Sequence, residues 1–235
     1  MSALARWFNR NGFDVAGYDR TSTALTDELR QEGIDVHFED DPGQIPLEFI
    51  EDPERLLVVY TPAVPIDPLE LNMFREMTIP VFKRSEVLGK ITENLFTVAV
   101  AGTHGKTTTS SMIAHILKFA RKDITAFLGG IAVNYDSNFI SNEKTLNDAL
   151  AVVEADEFDR SFLTLMPDLA VVTSVDADHL DIYETADTLK KSFSDFISKI
   201  RDKGRLFIND AVPSDIIPHD FKGTVSTYGL NRGQF

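Results

Sequence analysis

Short runs of apolar residues alternate along most of the chain with segments that have helical periodicity. Most of these runs are apolar throughout, which is typical of strands covered on both faces of a sheet. The predicted strands are residues 13–17, 56–60, 96–101, 149–153, 169–173 and 205–208. The predicted helices include residues 2–9, 24–31, 68–76, 106–119 and 186–201. The alternation predicts an α/β fold with parallel sheets.

The first twenty residues predict part of a Rossmann-like domain. A helix starts at Ser2 and ends near Gly12, and the strand that follows it has Asp19 at its end. In a Rossmann half, a first strand and a glycine-rich turn precede such a helix, and an acidic residue closes the second strand. We therefore expect residues 1–92 to form a Rossmann-like N-terminal domain that lacks its first strand. The alternative is that Met1 is the true start of a simpler two-layer domain.

The strongest chemical signal is a glycine-rich loop between the strand at 96–101 and the helix at 106–119. Glycines let backbone N–H groups approach phosphate oxygens, and the helix start adds a positive dipole end. Lys106 is predicted to reach the β- and γ-phosphates, and the Thr107 hydroxyl to bind Mg²⁺. The predicted ATP-binding residues are Gly102, Thr103, His104, Gly105, Lys106, Thr107 and Thr108.

The loop departs from the general phosphate-loop pattern at Val100, where that pattern has a glycine. An incidental lysine at a strand–helix turn is the alternative interpretation. The run of threonines and serines after Lys106 is a poor helix former, so helix propensity does not explain it. We expect residues 93–235 to form an incomplete P-loop-type parallel-sheet ATP-binding domain, since no closing helix follows a candidate strand at 224–228.

Two further apolar strands end in polar segments. Residues 149–153 lead into Glu154, and residues 169–173 lead into a segment with His179 among aspartates. Open α/β sheets bind ligands outside the carboxyl ends of their strands, where a carboxylate can hold nucleotide-bound Mg²⁺. We expect Lys106, Glu154 and His179 to converge there. A solvated acidic turn and a hydrogen-bonded loop histidine are the alternatives.

The composition limits the kinds of molecule that we expect the protein to bind. The 235 residues carry a formal net charge of −14 and include no cysteine. An acidic surface repels nucleic acid and anionic lipid, and the missing thiols exclude disulfides and a cysteine nucleophile. No apolar run is long enough for a membrane span. We expect a cytoplasmic protein that binds neither nucleic acid nor a membrane.

Residues 101–109, 154–159 and 178–183 together resemble the three central-domain signatures of the Mur ligases. The loop histidine and the Glu-Ala-Asp-Glu-x-Asp block are most similar to those of the L-alanine-adding members. The resemblance implies three domains, for the UDP substrate, for ATP and for the amino acid, with most of the first and part of the second present here. It implies a ligase of peptidoglycan precursor synthesis. The mechanism that the resemblance implies is phosphorylation of the lactyl carboxylate of UDP-N-acetylmuramate by ATP to an acyl phosphate, which the amine of L-alanine would attack.

The resemblance also implies residue roles. Lys106 would neutralise the transferring phosphate, Thr107 and Glu154 would hold one Mg²⁺, and His179 would help to hold a second. The candidate substrate-binding residues are Asp19, Thr61, Gly129, Gly130 and Asn134. Some sister ligases use a carbamylated lysine, but the spacing of Lys190 and Lys191 does not match that role.

Three alternatives stay open. A ligase that recycles a preformed tripeptide has similar motifs, and folylpolyglutamate synthase shares the short phosphate loop. The third is a nucleotide-binding fragment without turnover, which is what we expect of this chain if the amine-binding domain is absent. The sequence does not predict an oligomeric state.

Overall fold

The computed structural model describes residues 1–63, 67–141, 149–176, 185–230 and 233–234. It divides the chain into two compact units, Met1–Val87 and Leu88–Phe235. The division lies five residues before the predicted boundary at 92/93.

The first unit contains two separate parallel sheets of two strands each. Its strands are β1 (Ala16–Tyr18), β2 (Asp35–His37), β3 (Val58–Tyr60) and β4 (Val81–Lys83). Its helices are α1 (Ser2–Arg10), α2 (Ala24–Gln31), α3 (Leu47–Glu51) and α4 (Leu69–Glu76), and α5 (Arg84–Thr92) crosses the boundary. Short 3₁₀ turns lie at Pro42–Gln44 and Pro53–Arg55. Strand β1 pairs with β2, and β3 pairs with β4.

Each of these small sheets has its own apolar cluster. Leu29, Ile34 and Val36 form the one beside β1 and β2, and Ile45, Phe74 and Ile79 form the other. Helix α2 begins at a capping box in which Thr23 and Thr26 exchange hydrogen bonds, so its first turn is satisfied locally. The local sequence therefore fixes this helix start without help from distant residues.

The second unit is built on one seven-stranded sheet. Its strands are β5 (Thr97–Ala101), β6 (Ile124–Ala132), β7 (Ser137–Ser141), β8 (Leu150–Glu154), β9 (Leu169–Val172), β10 (Arg205–Asn209) and β11 (Thr224–Tyr228). Among its described residues, the helices are α6 (Lys106–Phe119) and α7 (Ala186–Ser198), with 3₁₀ segments at Phe158–Thr164 and Ser214–Ile216. The strand order is β11-β10-β9-β5-β8-β6-β7. All neighbours pair in parallel except β6 and β7.

Strand β5 is the centre of this sheet and is buried along its whole length. Helix α6 packs on one face, where Ala114 lies in a cluster with Ile124, Ala126 and Val152. Burial on both faces explains the continuous apolar run of β5, as the pattern predicted. The antiparallel β6–β7 hairpin was not predicted. It carries Gly129 and Gly130 at an irregularity in the β6–β7 pairing, between Phe127 and Ala132.

The mixed α/β class with parallel sheets is confirmed. None of the helices in the described residues combines the length and the apolar character needed to cross a membrane.

Candidate nucleotide-binding site

The candidate site lies at the carboxyl ends of three adjacent strands. Strand β5 is paired on one side with β8 and on the other with β9. Because all three are parallel, the loop after β5, the acidic segment after β8 and the polar segment after β9 leave the sheet at the same edge. This is the edge at which open α/β sheets bind ligands.

The loop after β5 makes its turn with two glycines. Gly102 has φ +142° and Gly105 has φ +79°, conformations that residues with a side chain rarely adopt. A Cβ atom on Gly102 would lie 2.0 Å from Thr173 Oγ1, so the loop can approach the end of β9 only with glycine at this position. Gly105 is the N-cap of α6, so the helix begins at Lys106 directly after the turn.

The segment after β9 holds the loop after β5 in place through hydrogen bonds. Thr103 N donates to Ser174 O at 3.1 Å, and the Thr103 and Ser174 hydroxyl oxygens are 2.9 Å apart. His104 N donates to Ser174 Oγ at 2.8 Å, and Thr173 Oγ1 donates to the His104 carbonyl. These contacts hold the backbone of the loop in one conformation before any ligand arrives, so little ordering remains for binding to accomplish.

The ammonium of Lys106 is held by three oxygens. Its Nζ donates to Gly102 O at 2.7 Å and lies 2.9 and 2.7 Å from the two carboxylate oxygens of Glu157. The Lys106 side chain is 13% exposed and that of Glu157 is 0% exposed. The charges therefore form a desolvated pair at the base of the loop.

The next residue along α6 has a different acidic partner. Thr107 Oγ1 donates to Glu154 Oε1 at 2.9 Å, and Gly129 N donates to Glu154 Oε2 at 2.8 Å. A Cβ atom on Gly129 would lie 2.3 Å from Glu154 Oε1, which explains why β6 has glycine here. Glu154 is half-buried, so its carboxylate keeps access to the site.

The Thr107 and Glu154 oxygens fit an Mg²⁺ site. Magnesium prefers oxygen ligands and is usually held by one or two protein groups together with water and substrate phosphates. Thr107 and Glu154 supply a hydroxyl and a carboxylate that already face each other. Within the described ranges, no group of three histidine or carboxylate side chains forms a complete metal cage. A metal here would need phosphate and water to complete its coordination.

The structure brings together Lys106, Thr107 and Glu154 and adds Gly129, as described above. His179 lies outside the described residues, so its predicted convergence with the others stays a prediction. His104 is exposed, and its Nε2 is 3.8 Å from Asp176 Oδ2. Thr108 is also exposed, in the first turn of α6.

The remaining residues that the sequence singled out lie in several different parts of the chain. A Cβ atom on Gly130 would be 3.2 Å from Thr107 Cγ2, whereas Asn134 lies exposed in the turn between β6 and β7. Asp19 and Thr61 belong to the first unit, directly after β1 and β3. Lys190 forms an exposed ion pair with Asp215 at 3.1 Å.

Sequence reasoning missed the roles of Glu157, Ser174 and Gly129 in this cluster. Glu157 was visible as the second glutamate of the acidic block, three residues after Glu154. No local pattern shows which of the two glutamates would meet Lys106, because that depends on the turn between them. Ser174 carried a weaker signal, as the polar residue two positions beyond the end of β9.

Family models cover nearly the whole chain. The model described as the Mur ligase middle domain matches residues 100–234, and the model described as the Mur ligase family, catalytic domain, matches residues 1–95. The first of these spans more than half of the chain.

The chain is also similar to individual proteins that are named as ligases of this kind. The chain is 54% identical to a UDP-N-acetylmuramate–L-alanine ligase of Flavobacterium johnsoniae, over 91% of this chain and 46% of that protein. The chain thus spans about half the length of the curated relatives it matches. A Thermotoga maritima UDP-N-acetylmuramate-alanine ligase structure matches with TM-score 0.81 and 28% identity, over 99% of this chain and 50% of that one. A Neisseria UDP-N-acetylmuramate:L-alanyl-γ-D-glutamyl-meso-diaminopimelate ligase matches with TM-score 0.85 and 24% identity, over 99% and 75%.

Proposed function

Because the chain belongs to the Mur ligase family, we propose that it is the UDP-substrate-binding and ATP-binding part of a UDP-N-acetylmuramate–L-alanine ligase. The observation that carries the proposal is the pairing of two consecutive residues of α6 with two carboxylates of one acidic block. Lys106 meets Glu157, and Thr107 meets Glu154. This arrangement suits a phosphate chain and its divalent ion.

The loop would bind the triphosphate of ATP. The backbone N–H groups of the loop and of the first turn of α6 lie at a helix N-terminus, where an anion is stabilised. Lys106 would neutralise negative charge on the transferring phosphoryl group. Thr107 and Glu154 would hold Mg²⁺, which would supply positive charge to offset the charge that develops on the phosphate oxygens.

The reaction would proceed in two steps. The lactyl carboxylate oxygen of UDP-N-acetylmuramate attacks the γ-phosphorus, the bond to the β-phosphate oxygen breaks, and ADP leaves. The amine of L-alanine then attacks the acyl carbon, loses a proton and expels inorganic phosphate. Phosphoryl transfer depends mostly on positioning and charge stabilisation. The preformed loop and the fixed Lys106 are suited to both.

The first unit would bind the UDP part of the substrate. Asp19 and Thr61 follow β1 and β3 directly, so each lies at the carboxyl end of a parallel strand. Gly129, Gly130 and Asn134 belong to the β6–β7 hairpin of the second unit and are proposed to line the path of the sugar substrate. His179 is proposed to support a second Mg²⁺ beside the acyl phosphate.

The choice of L-alanine as the amine rests on sequence similarity. Identity is 54% to the Flavobacterium ligase named for L-alanine. It is 24% to the Neisseria tripeptide ligase, a level that shows the shared fold alone. We propose a cytoplasmic enzyme, where ATP and UDP-linked sugars are available.

Calorimetric titration of the 235-residue chain with a non-hydrolysable ATP analogue and Mg²⁺ tests the nucleotide site. We expect binding but no turnover from this chain. Turnover is then measured in a protein of the relatives' full length that carries this sequence. Ligation of L-alanine to UDP-N-acetylmuramate supports the proposal, whereas preference for the tripeptide, or for glutamate with folate, assigns a sister function. No nucleotide binding by the folded chain would reject the proposal.

A further inference from the structure

We propose that Glu157 is a positioning residue that fixes the Lys106 ammonium at the phosphate-binding loop, an inference that rests on the proposed function. On this proposal, Glu157 positions the Lys106 ammonium and Glu154 is a ligand of Mg²⁺. The two glutamates are three residues apart and do not share a partner among the contacts described above.

The first argument is burial. The Glu157 side chain is 0% exposed, and both of its carboxylate oxygens lie within 2.9 Å of Lys106 Nζ. Contacts between opposite charges that water does not reach are costly to break. A swing of Lys106 toward a phosphate would break both contacts with Glu157, so the pair holds the ammonium in place. The ammonium must meet the phosphate from the position it already occupies.

The second argument is the hydrogen-bonding capacity of Lys106. An ammonium has three N–H donors. One is directed at Gly102 O, and the other two lie toward the two oxygens of a single carboxylate. A phosphate oxygen can take one of those donors while Glu157 keeps the other. Lys106 then remains anchored at two points and reaches the nucleotide with one directed N–H.

The third argument is the rigidity of the turn that carries Glu157. Asp159 and Arg160 have φ +51° and +55°, left-handed conformations that are costly for residues other than glycine. Arg160 N donates to Glu157 O at 2.9 Å, and Phe162 N donates to Asp156 O at 3.0 Å. The surrounding structure must therefore hold this turn in place.

Two rings of α7 supply that support. The Phe162 ring is stacked on Phe196 with centroids 5.0 Å apart and meets Phe193 edge-on at 5.3 Å. Phe162, Phe193 and Phe196 are each at most 1% exposed. The aromatic cluster fixes the end of the turn, and the turn fixes Glu157.

A charge argument predicts how Glu157 affects catalysis. The negative charge of Glu157 offsets part of the positive charge of Lys106, so it does not strengthen the attraction of the loop for ATP. Its contribution is orientation, which is realised in the transition state. Replacing Glu157 by the neutral glutamine should therefore lower kcat without raising the KM for ATP. Losing Lys106 should instead impair nucleotide binding as well.

The test compares Glu157→Gln with Glu93→Gln, which makes the same chemical change at a glutamate whose side chain is 52% exposed. In the full-length protein, Glu157→Gln should reduce kcat by about 10- to 100-fold, as for one lost charge-assisted hydrogen bond, with KM for ATP unchanged or lower. Equal kcat values for the two variants, or a KM for ATP that rises by about 10-fold or more in Glu157→Gln, overturns the inference.

A second measurement needs no nucleotide. In the 235-residue chain, Lys106→Ala should lower the midpoint of urea unfolding, and Glu157→Gln should cost less stability in the Lys106→Ala background than in the wild-type chain, because the shared ion pair can be lost only once. Additive losses would overturn the pairing. If the wild-type chain folds but binds no ATP analogue, the proposed function fails. If it binds and Glu157→Gln behaves like Glu93→Gln, only this inference fails.

Discussion

The Thr107 hydroxyl donates to Glu154 Oε1 across 2.9 Å, and this contact joins the first turn of α6 to the end of β8. The two residues are 47 positions apart in the chain. Their oxygens form the part of the site that suits a divalent ion. Glu154 also accepts from Gly129 N, so three elements meet at one carboxylate.

Removing the charge of Glu154 should uncouple nucleotide binding from Mg²⁺. In the wild-type chain, chelation of Mg²⁺ with EDTA should weaken binding of an ATP analogue. In Glu154→Gln, binding with Mg²⁺ should already be weaker by about 10-fold or more, the loss of one charged contact, and EDTA should change it little. Isothermal titration calorimetry with and without EDTA measures both effects. Glu93→Gln is the matched control, and a full EDTA response in Glu154→Gln would contradict the assignment.

Lys106→Ala should abolish ATP-dependent ligation in the full-length protein. The variant loses the cation that neutralises the transferring phosphoryl group, and nucleotide affinity should fall by about 10- to 100-fold. It also removes the ammonium that contacts the buried carboxylate of Glu157, so the unfolding free energy should fall by about 1–3 kcal/mol, as for one lost hydrogen bond to a charged group. Phosphate release assays and urea unfolding measure the two effects.

The control for Lys106→Ala is Lys90→Ala, because the Lys90 side chain is 80% exposed and pairs only loosely with Glu93 at 3.3 Å. Lys90→Ala should leave ligation unchanged. Turnover retained by folded Lys106→Ala would remove Lys106 from the mechanism.

Gly129→Ala should displace Glu154. The new Cβ atom would lie 2.3 Å from Glu154 Oε1, so the carboxylate must leave its place between Thr107 and the Gly129 amide. We expect the Mg²⁺-dependent part of ATP affinity to fall by about 10-fold, for the same lost contact. Gly17→Ala is the control, since nothing lies within 4 Å of its added Cβ atom. Equal Mg²⁺ titrations for the two alanine variants would show that Glu154 moves without consequence.

Ser174→Ala should loosen the phosphate-binding loop. It removes the hydroxyl that accepts from His104 N at 2.8 Å and contacts Thr103 Oγ1 at 2.9 Å. We expect unfolding free energy to fall by about 1 kcal/mol and ATP binding to acquire a larger entropic penalty. Calorimetry of unfolding measures the change in unfolding free energy, and calorimetry of ATP binding measures the entropic penalty.

The matched variant for Ser174 is Ser198→Ala, at an exposed serine whose hydroxyl donates to the Ser194 carbonyl at 3.0 Å. It lies near the end of α7, so its effect on ATP binding should be nil. A binding entropy for Ser174→Ala equal to that of Ser198→Ala would contradict a preordering role.

Parts of the fold with strong local signals were predicted well. Helices α2 and α6 have the predicted bounds, because each has a clear start signal in the sequence, a capping box in one and a glycine turn in the other. Strand β11 also has the expected bounds. Strands β2 and β4 were not predicted. Each is three residues long and is defined by its partner strand more than by its own composition.

The β6–β7 hairpin shows a different limit. Gly129 and Gly130 interrupt the apolar run of β6, and the strand β7 begins with polar residues, so neither segment has the pattern of a strand. The two glycines were singled out as substrate-path candidates. The structure also shows Gly129 in contact with Glu154, which only a three-dimensional arrangement can reveal.

The sequence by itself determined the glycine-rich loop after β5, the helix that follows it and the presence of acidic residues after β8, because glycine geometry and strand burial are local properties. Only the tertiary structure decided which acid meets which partner. Lys106 pairs with Glu157 and Thr107 with Glu154 because the turn after β8 directs carboxylates three residues apart to different places. That turn depends on left-handed residues and on rings of α7 more than 30 positions away, so no local pattern encodes its outcome.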